Sequence, residues 1–106
     1  MITEEQVENA LFYIRDHAEE AGRLAGSVKE AEMRRKTHMA MAYLDADGTV
    51  AERDAIARTS RPAMEAYADY CECVAEYETI KLKIKASETC IEVWRTENSN
   101  RRAGIL

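Results

Sequence analysis

The sequence is poor in the residues that turn a chain. Four glycines and one proline serve 106 residues. Sandwiches and barrels of short strands need turn residues about every eight to twelve positions, so that scarcity argues against an all-β architecture. No glycine-rich phosphate loop is present, which argues against Rossmann and P-loop nucleotide domains. Long apolar runs are missing as well. The longest, Met39 to Leu44, spans six residues, too short for a membrane span or a signal-peptide core. Large aromatic anchors are few, with one Phe and one Trp.

Charge and cysteine narrow the class further. The net charge is −5, with an isoelectric point near 5.1. Such a balance suits solubility and disfavours a protein that coats duplex DNA with its whole surface. Cys71, Cys73 and Cys90 are odd in number, and the acidic start Thr3-Glu4-Glu5-Gln6 is unlike a targeting segment. The cysteines read as reduced thiols, and a cytoplasmic location is expected.

What remains is helix. Thr3 and Gln6 form a capping box at the start of the first helix. Val7, Leu11, Ile14, Ala18, Ala21, Ala25 and Val28 then recur at spacings of four and three, the stripe of a helix facing one partner. The pattern continues through Ala31, Met39, Ala42 and Tyr43 or Leu44, which predicts a helix over about 4–46. Gly48 suits a left-handed stop, and Thr49 with Glu52 opens a second capping box. A short helix over about 50–58, with Val50, Ile56 and Ala57 inward, leads to Pro62 in the first turn of a third. That third helix covers about 62–97, with Met64, Tyr67, Cys71, Val74, Tyr77, Ile80, Ile84, Ile91 and Trp94 on its stripe. The expected fold is all-α: an antiparallel hairpin of two long helices with a short helical elbow, forming one domain over about 1–98 with a polar basic tail at 99–106. In that hairpin residue 35 lies opposite about 74, and residue 28 opposite about 81. Phe12, Leu24, Leu82 and Val93 fall off the stripes, so dimerisation into a helical bundle is expected to cover them.

Chemistry-bearing constellations are weak. Around Gly48 the segment superficially matches a calcium loop, but its first ligand position holds Tyr43 and its twelfth Asp54. Cys71 and Cys73 point about 200° apart on a helix, and His17 and His38 stand roughly 30 Å apart on a continuous one. Neither pair builds a metal site or a catalytic triad. No catalytic residue, metal, cofactor, membrane or small-molecule substrate is expected, and the chain reads as a non-enzyme.

Binding is the remaining class. Gly22 and Gly26, with Ala18, Ala21 and Ala25, would let another helix approach closely, either within the chain or from a partner. Basic residues gather at Lys29 with Arg34, Arg35 and Lys36, at Lys81, Lys83 and Lys85, and at Arg95 with Arg101 and Arg102. These are either solvated helix faces or local contacts for nucleic-acid phosphates. Trp94 or a tyrosine beside them could stack a base of single-stranded DNA.

Two segments resemble small helical proteins encoded by tailed bacteriophages: AYLDADGTVAERDA at 42–55 and IEVWRTENSNRR at 91–102. In those proteins a long helix ends at a similar Gly-Thr-Val-x-Glu-Arg corner, and the chain closes on a similar Trp-Arg segment. The resemblance implies a setting of phage DNA recombination or replication, in the host cytoplasm, without implying a mechanism. Capping accounts for the corner but not for the ending, so Trp94, Arg95, Asn98, Asn100, Arg101 and Arg102 are the leading binding candidates. The first expectation is an accessory factor that binds single-stranded DNA or a DNA-bound protein. The alternative is an inhibitor of a host enzyme or defence complex, acting through acidic helix faces. A purely structural oligomer is the third.

Overall fold

The computed structural model describes residues 1–104 and contains three helices: α1 (Glu4–Asp45), α2 (Val50–Thr59) and α3 (Arg61–Arg102). No strand occurs among the described residues. The all-α expectation holds, and the first two helices end close to where capping places them. By contact, the chain divides into two compact units, one of Met1–Gly22 with the chain from Glu78 onward, the other of Arg23–Tyr77.

Capping explains each helix end. The Thr3 hydroxyl accepts from Gln6 N–H at 3.1 Å and the Gln6 amide accepts from Thr3 N–H at 2.8 Å, the reciprocal box read from the sequence. Thr49 makes only half of a box. Its hydroxyl accepts from Glu52 N–H at 3.2 Å and donates to the Glu52 carboxylate at 3.2 Å. Gly48 has φ +115°, a backbone conformation that favours glycine. Ser60 opens α3, accepting from Ala63 N–H at 3.4 Å and donating to Ala57 O at 3.0 Å.

The α1 terminus carries no basic residue in its last turn, which leaves carbonyls and a dipole without a cation. Arg53 from α2 supplies it. Two guanidinium nitrogens donate to Tyr43 O at 3.2 and 3.0 Å, while the same group sits 4.2 Å over the Tyr43 ring. This clamp fixes the corner between the first two helices.

α3 runs on to Arg102, past the expected stop near 97. Nothing in Thr96-Glu97-Asn98-Ser99-Asn100 breaks a helix, and Arg101 and Arg102 complement its C-terminal dipole. The stop comes at Gly104, with φ +76°. Residues 99–102 of the expected tail are therefore helical, while Ile105 and Leu106 lie outside the described residues.

The buried residues are Val7, Ala10, Ala31, Ala57, Ala63, Ala66 and Ile80, five of the seven being alanine. Around them, every position of one repeat is buried or half-buried. On α1 it reads Val7, Ala10, Ile14, His17, Ala21, Leu24, Val28, Ala31, Arg35, His38, Ala42. On α3 it reads Ala63, Ala66, Tyr70, Cys73, Tyr77, Ile80, Ile84, Ser87, Ile91, Trp94, Asn98. Alternating steps of three and four give a period of about 3.5, the spacing of helix–helix packing within each unit.

This corrects the expected stripes at specific places. Val7, Ile14, Ala21, Val28, Ala31 and Ala42 hold, but Ala10 and His17 replace the exposed Leu11 and Ala18, and Leu24, expected off the stripe, is a half-buried seam position. In α3 the seam agrees at Tyr77, Ile80, Ile84, Ile91 and Trp94 and runs on through Ser87, where an interruption was expected, whereas Met64, Tyr67 and Cys71 are exposed and their neighbours Ala63, Ala66 and Tyr70 are buried or half-buried. In α2, Ala57 alone is buried, and Val50 and Ile56 are exposed. In most of these cases the larger apolar side chain one position away was the stronger sequence signal, yet the smaller one is buried.

Stability measurements follow from this core. Ala31→Leu, at a position 1% exposed, should cost about 1–3 kcal/mol through overpacking. Gly22→Ala meets no atom within 4 Å and should stabilise by up to about 1 kcal/mol. Urea unfolding reads both, and equal effects of one sign would contradict the packing described.

Candidate binding surfaces

Three consecutive cations on a helix point in directions about 100° apart, and Arg34, Arg35 and Lys36 do so. Arg34 pairs with Glu30 at 3.2 Å and Lys36 with Glu32 at 3.5 Å, both one turn back on α1. Exposed pairs of this kind contribute little to stability, but they mute the charge offered to a ligand. Arg35 turns into the seam, its guanidinium 4.9 Å above the Tyr67 ring and 6.0 Å from that of Tyr70. Residue 35 thus meets 67 and 70, about a turn earlier in α3 than the expected partner near 74. The three basic residues form no single patch.

Tyr67 and Tyr70 lie with ring centroids 6.4 Å apart. The Tyr67 phenol is held above its ordinary value, chiefly by its hydrogen bond to the Cys71 thiol, with Arg35 opposing that shift. Beside them a groove of about 280 Å³ is lined by Arg35, Met39, Arg58, Ala63, Met64 and Tyr67. A second depression, of about 520 Å³, lies along Met39, Tyr43, Asp54 and Ala57. Of the α2 residues read as inward, Ala57 is buried and Val50 and Ile56 are exposed, and the sequence reading gave Arg58 no role.

The carboxy-terminal candidates also divide. Arg95 and Arg102 are exposed and seven positions apart, hence on one face of α3 about 10 Å apart along its axis. Neither makes an ion pair among the described residues. Trp94 and Asn98 occupy seam positions and are half-buried, and Asn100 is half-buried on another face. Arg101 Nη2 lies 2.8 Å from Met1 Sδ. Next to it Glu97 accepts from Ile2 N–H at 3.0 Å. The two free cations therefore separate from Arg101, and the indole is only partly available for stacking. Of the lysine group, Lys81 lies 3.9 Å from Glu78, and Lys83 and Lys85 are exposed.

Gly22 and Gly26 do not serve an approach within the chain. Both are exposed, and a Cβ built on either meets nothing within 4 Å. Cys71, expected in the core, is exposed, while Cys90 is half-buried with its thiol 4.0 Å from Gln6 O. His17 is held locally, stacked on Tyr13 at 4.0 Å, with Nδ1 2.9 Å from Tyr13 O. That carbonyl only accepts, so Nδ1 carries the proton. Among the described residues no three His, Cys, Asp or Glu side chains are placed to hold a metal ion, and no helix is long and apolar enough to cross a membrane.

Comparison with family models, with curated proteins and with solved structures finds no match.

Two measurements probe the surroundings of Arg35 and Tyr67. Arg35→Ala should lower the urea midpoint more than Arg34→Ala, because only Arg35 packs on rings; equal shifts would show the stacking to be inconsequential. In a tyrosinate absorbance titration, the component lost in Tyr67→Phe should move to lower pH in Cys71→Ala, since the hydrogen bond that raises it is gone. A shift upward would contradict that cause.

Proposed function

We propose that the chain is a non-catalytic accessory protein of phage-type DNA recombination or replication that binds single-stranded DNA, or a protein bound to it, through one end of α3. The observation carrying this reading is the pair Arg95 and Arg102, exposed on one face and free of counter-ions among the described residues. Exposed guanidiniums recognise phosphates with forked donors, and a local cationic face acts where net charge would not. Trp94, half-buried one residue from Arg95, offers an aromatic edge for a base. The phage-like ending at 91–102 supports the same end of the helix.

The architecture of this reading is an antiparallel hairpin of α1 and α3 acting as a homodimer in the host cytoplasm. Contacts of Ile2 with Glu97 and of Gln6 with Cys90 in one unit support the antiparallel course, as do those of Arg35 with Tyr67 and Tyr70 in the other. Exposed Leu11, Phe12, Met64 and Leu82 support self-association.

A second reading, inhibition of a host enzyme by imitation of nucleic acid, draws support from the first turns of α1. Glu4, Glu5, Glu8, Asp16, Glu19 and Glu20 are all exposed there, against one cation, Arg15.

Fluorescence anisotropy of a labelled single-stranded oligonucleotide, alone and with a DNA-bound recombinase, tests the first reading. Binding should weaken as salt rises, and Arg95→Ala with Arg102→Ala should weaken it by about tenfold or more, while Arg34→Ala leaves it unchanged. No binding at about 50 mM salt in either format would rule it out. A stoichiometric complex with a host nuclease, in place of oligonucleotide binding, would instead favour the inhibitor.

A further inference from the structure

The groove between Arg35, Met39, Arg58, Ala63, Met64 and Tyr67 pairs an apolar floor with two cations. Met64 and Tyr67 are each more than half exposed. Neither Arg35 nor Arg58 makes an ion pair among the described residues. An acidic helix with apolar anchors is the ligand that satisfies both features, since its side chains fill the floor while its carboxylates meet the guanidiniums.

The chain carries such a helix. Leu11 and Phe12 on α1 are 51% and 47% exposed. Glu8 and Glu19 lie within about a third of a turn of Leu11 on the helix surface. Residues 4–20 hold six carboxylates and one arginine. Within one chain, Leu11 stays open to solvent, and Phe12 carries the Arg15 guanidinium 4.8 Å over one side of its ring while the rest stays exposed.

We propose that the occupant of this groove is the Leu11–Phe12 face of α1 from a second copy of the chain. The inference rests on the self-association reading above and names the surfaces that make it. Each copy brings both the groove and the face. Electrostatic attraction aligns the acidic helix on the cationic rim, and desolvation of Leu11, Phe12, Met64 and Tyr67 holds it there.

Gel filtration with light scattering over a concentration series, each variant checked by circular dichroism, tests the contact. The wild type should dimerise. Leu11→Ser with Phe12→Ser, and separately Arg58→Glu with Met64→Glu, should each raise the dissociation constant by about tenfold or more. All four positions are solvent-exposed, so these changes spare the buried seam. Arg58→Glu alone and Glu8→Lys with Glu19→Lys alone should each weaken the dimer. Combined in one chain, they should restore it, because the reversed charges again face one another. A monomeric wild type would overturn both this contact and the self-association reading. A dimer indifferent to every variant would overturn this contact and leave self-association standing. Weakening in both charge variants without rescue in the combined chain would show that these charges do not meet, and would also overturn it.

Discussion

Alanine at the buried positions is the constraint on which the rest of this structure depends. With Ala10, Ala31, Ala57, Ala63 and Ala66 buried, the core holds little side-chain volume. An alanine core has a cost in burial. Alanine removes one methyl from water, whereas leucine removes several carbons at about 0.8 kcal/mol each. Stability then depends on many small contacts along lengthy helices of good propensity. Bulky side chains such as Leu11, Met64 and Leu82 are displaced to the outside, which creates the apolar surface that self-association would cover.

Where side-chain volume is scarce, end effects carry more of the specification. The corner after α1 combines a glycine with positive φ, a threonine cap and the bidentate Arg53 clamp on Tyr43. Each satisfies backbone groups that a thicker core would otherwise shield. Arg53 does so from a neighbouring helix, which couples capping of α1 to placement of α2.

Charge is organised by the same helix geometry. Neighbouring cations diverge, so the arginines at 34 and 35 have different fates, one paired with Glu30 and the other stacked on tyrosines. Arg95 and Arg102, two turns apart, converge on one face despite their separation in sequence. Runs of basic residues are thus poor guides to a binding face, and helical phase is a better one. Arg35, Arg58, Arg95 and Arg102 are among the cations that make no ion pair among the described residues.

Sequence alone determined the helix count, the first two helices and the turn chemistry, because capping and glycine conformation are local and depend on residues within about a turn. The later half of the α3 seam, from Tyr77 through Ile80, Ile84, Ile91 and Trp94, was legible for a different reason: large apolar residues there coincide with the repeat. The α1 seam was legible at Val7, Ile14, Ala21, Val28, Ala31 and Ala42, while counting sevens from Val7 would also have reached Arg35. Tertiary structure decided which of two adjacent residues faces inward where apolarity and close packing disagree. It placed Ala63 inside and Met64 outside, Ala57 inside and Ile56 outside, and seated His17 and Arg35 in the seam. It also divided the basic clusters into paired, stacked and free members. Those outcomes depend on what lies across the helix interface, which no local pattern contains.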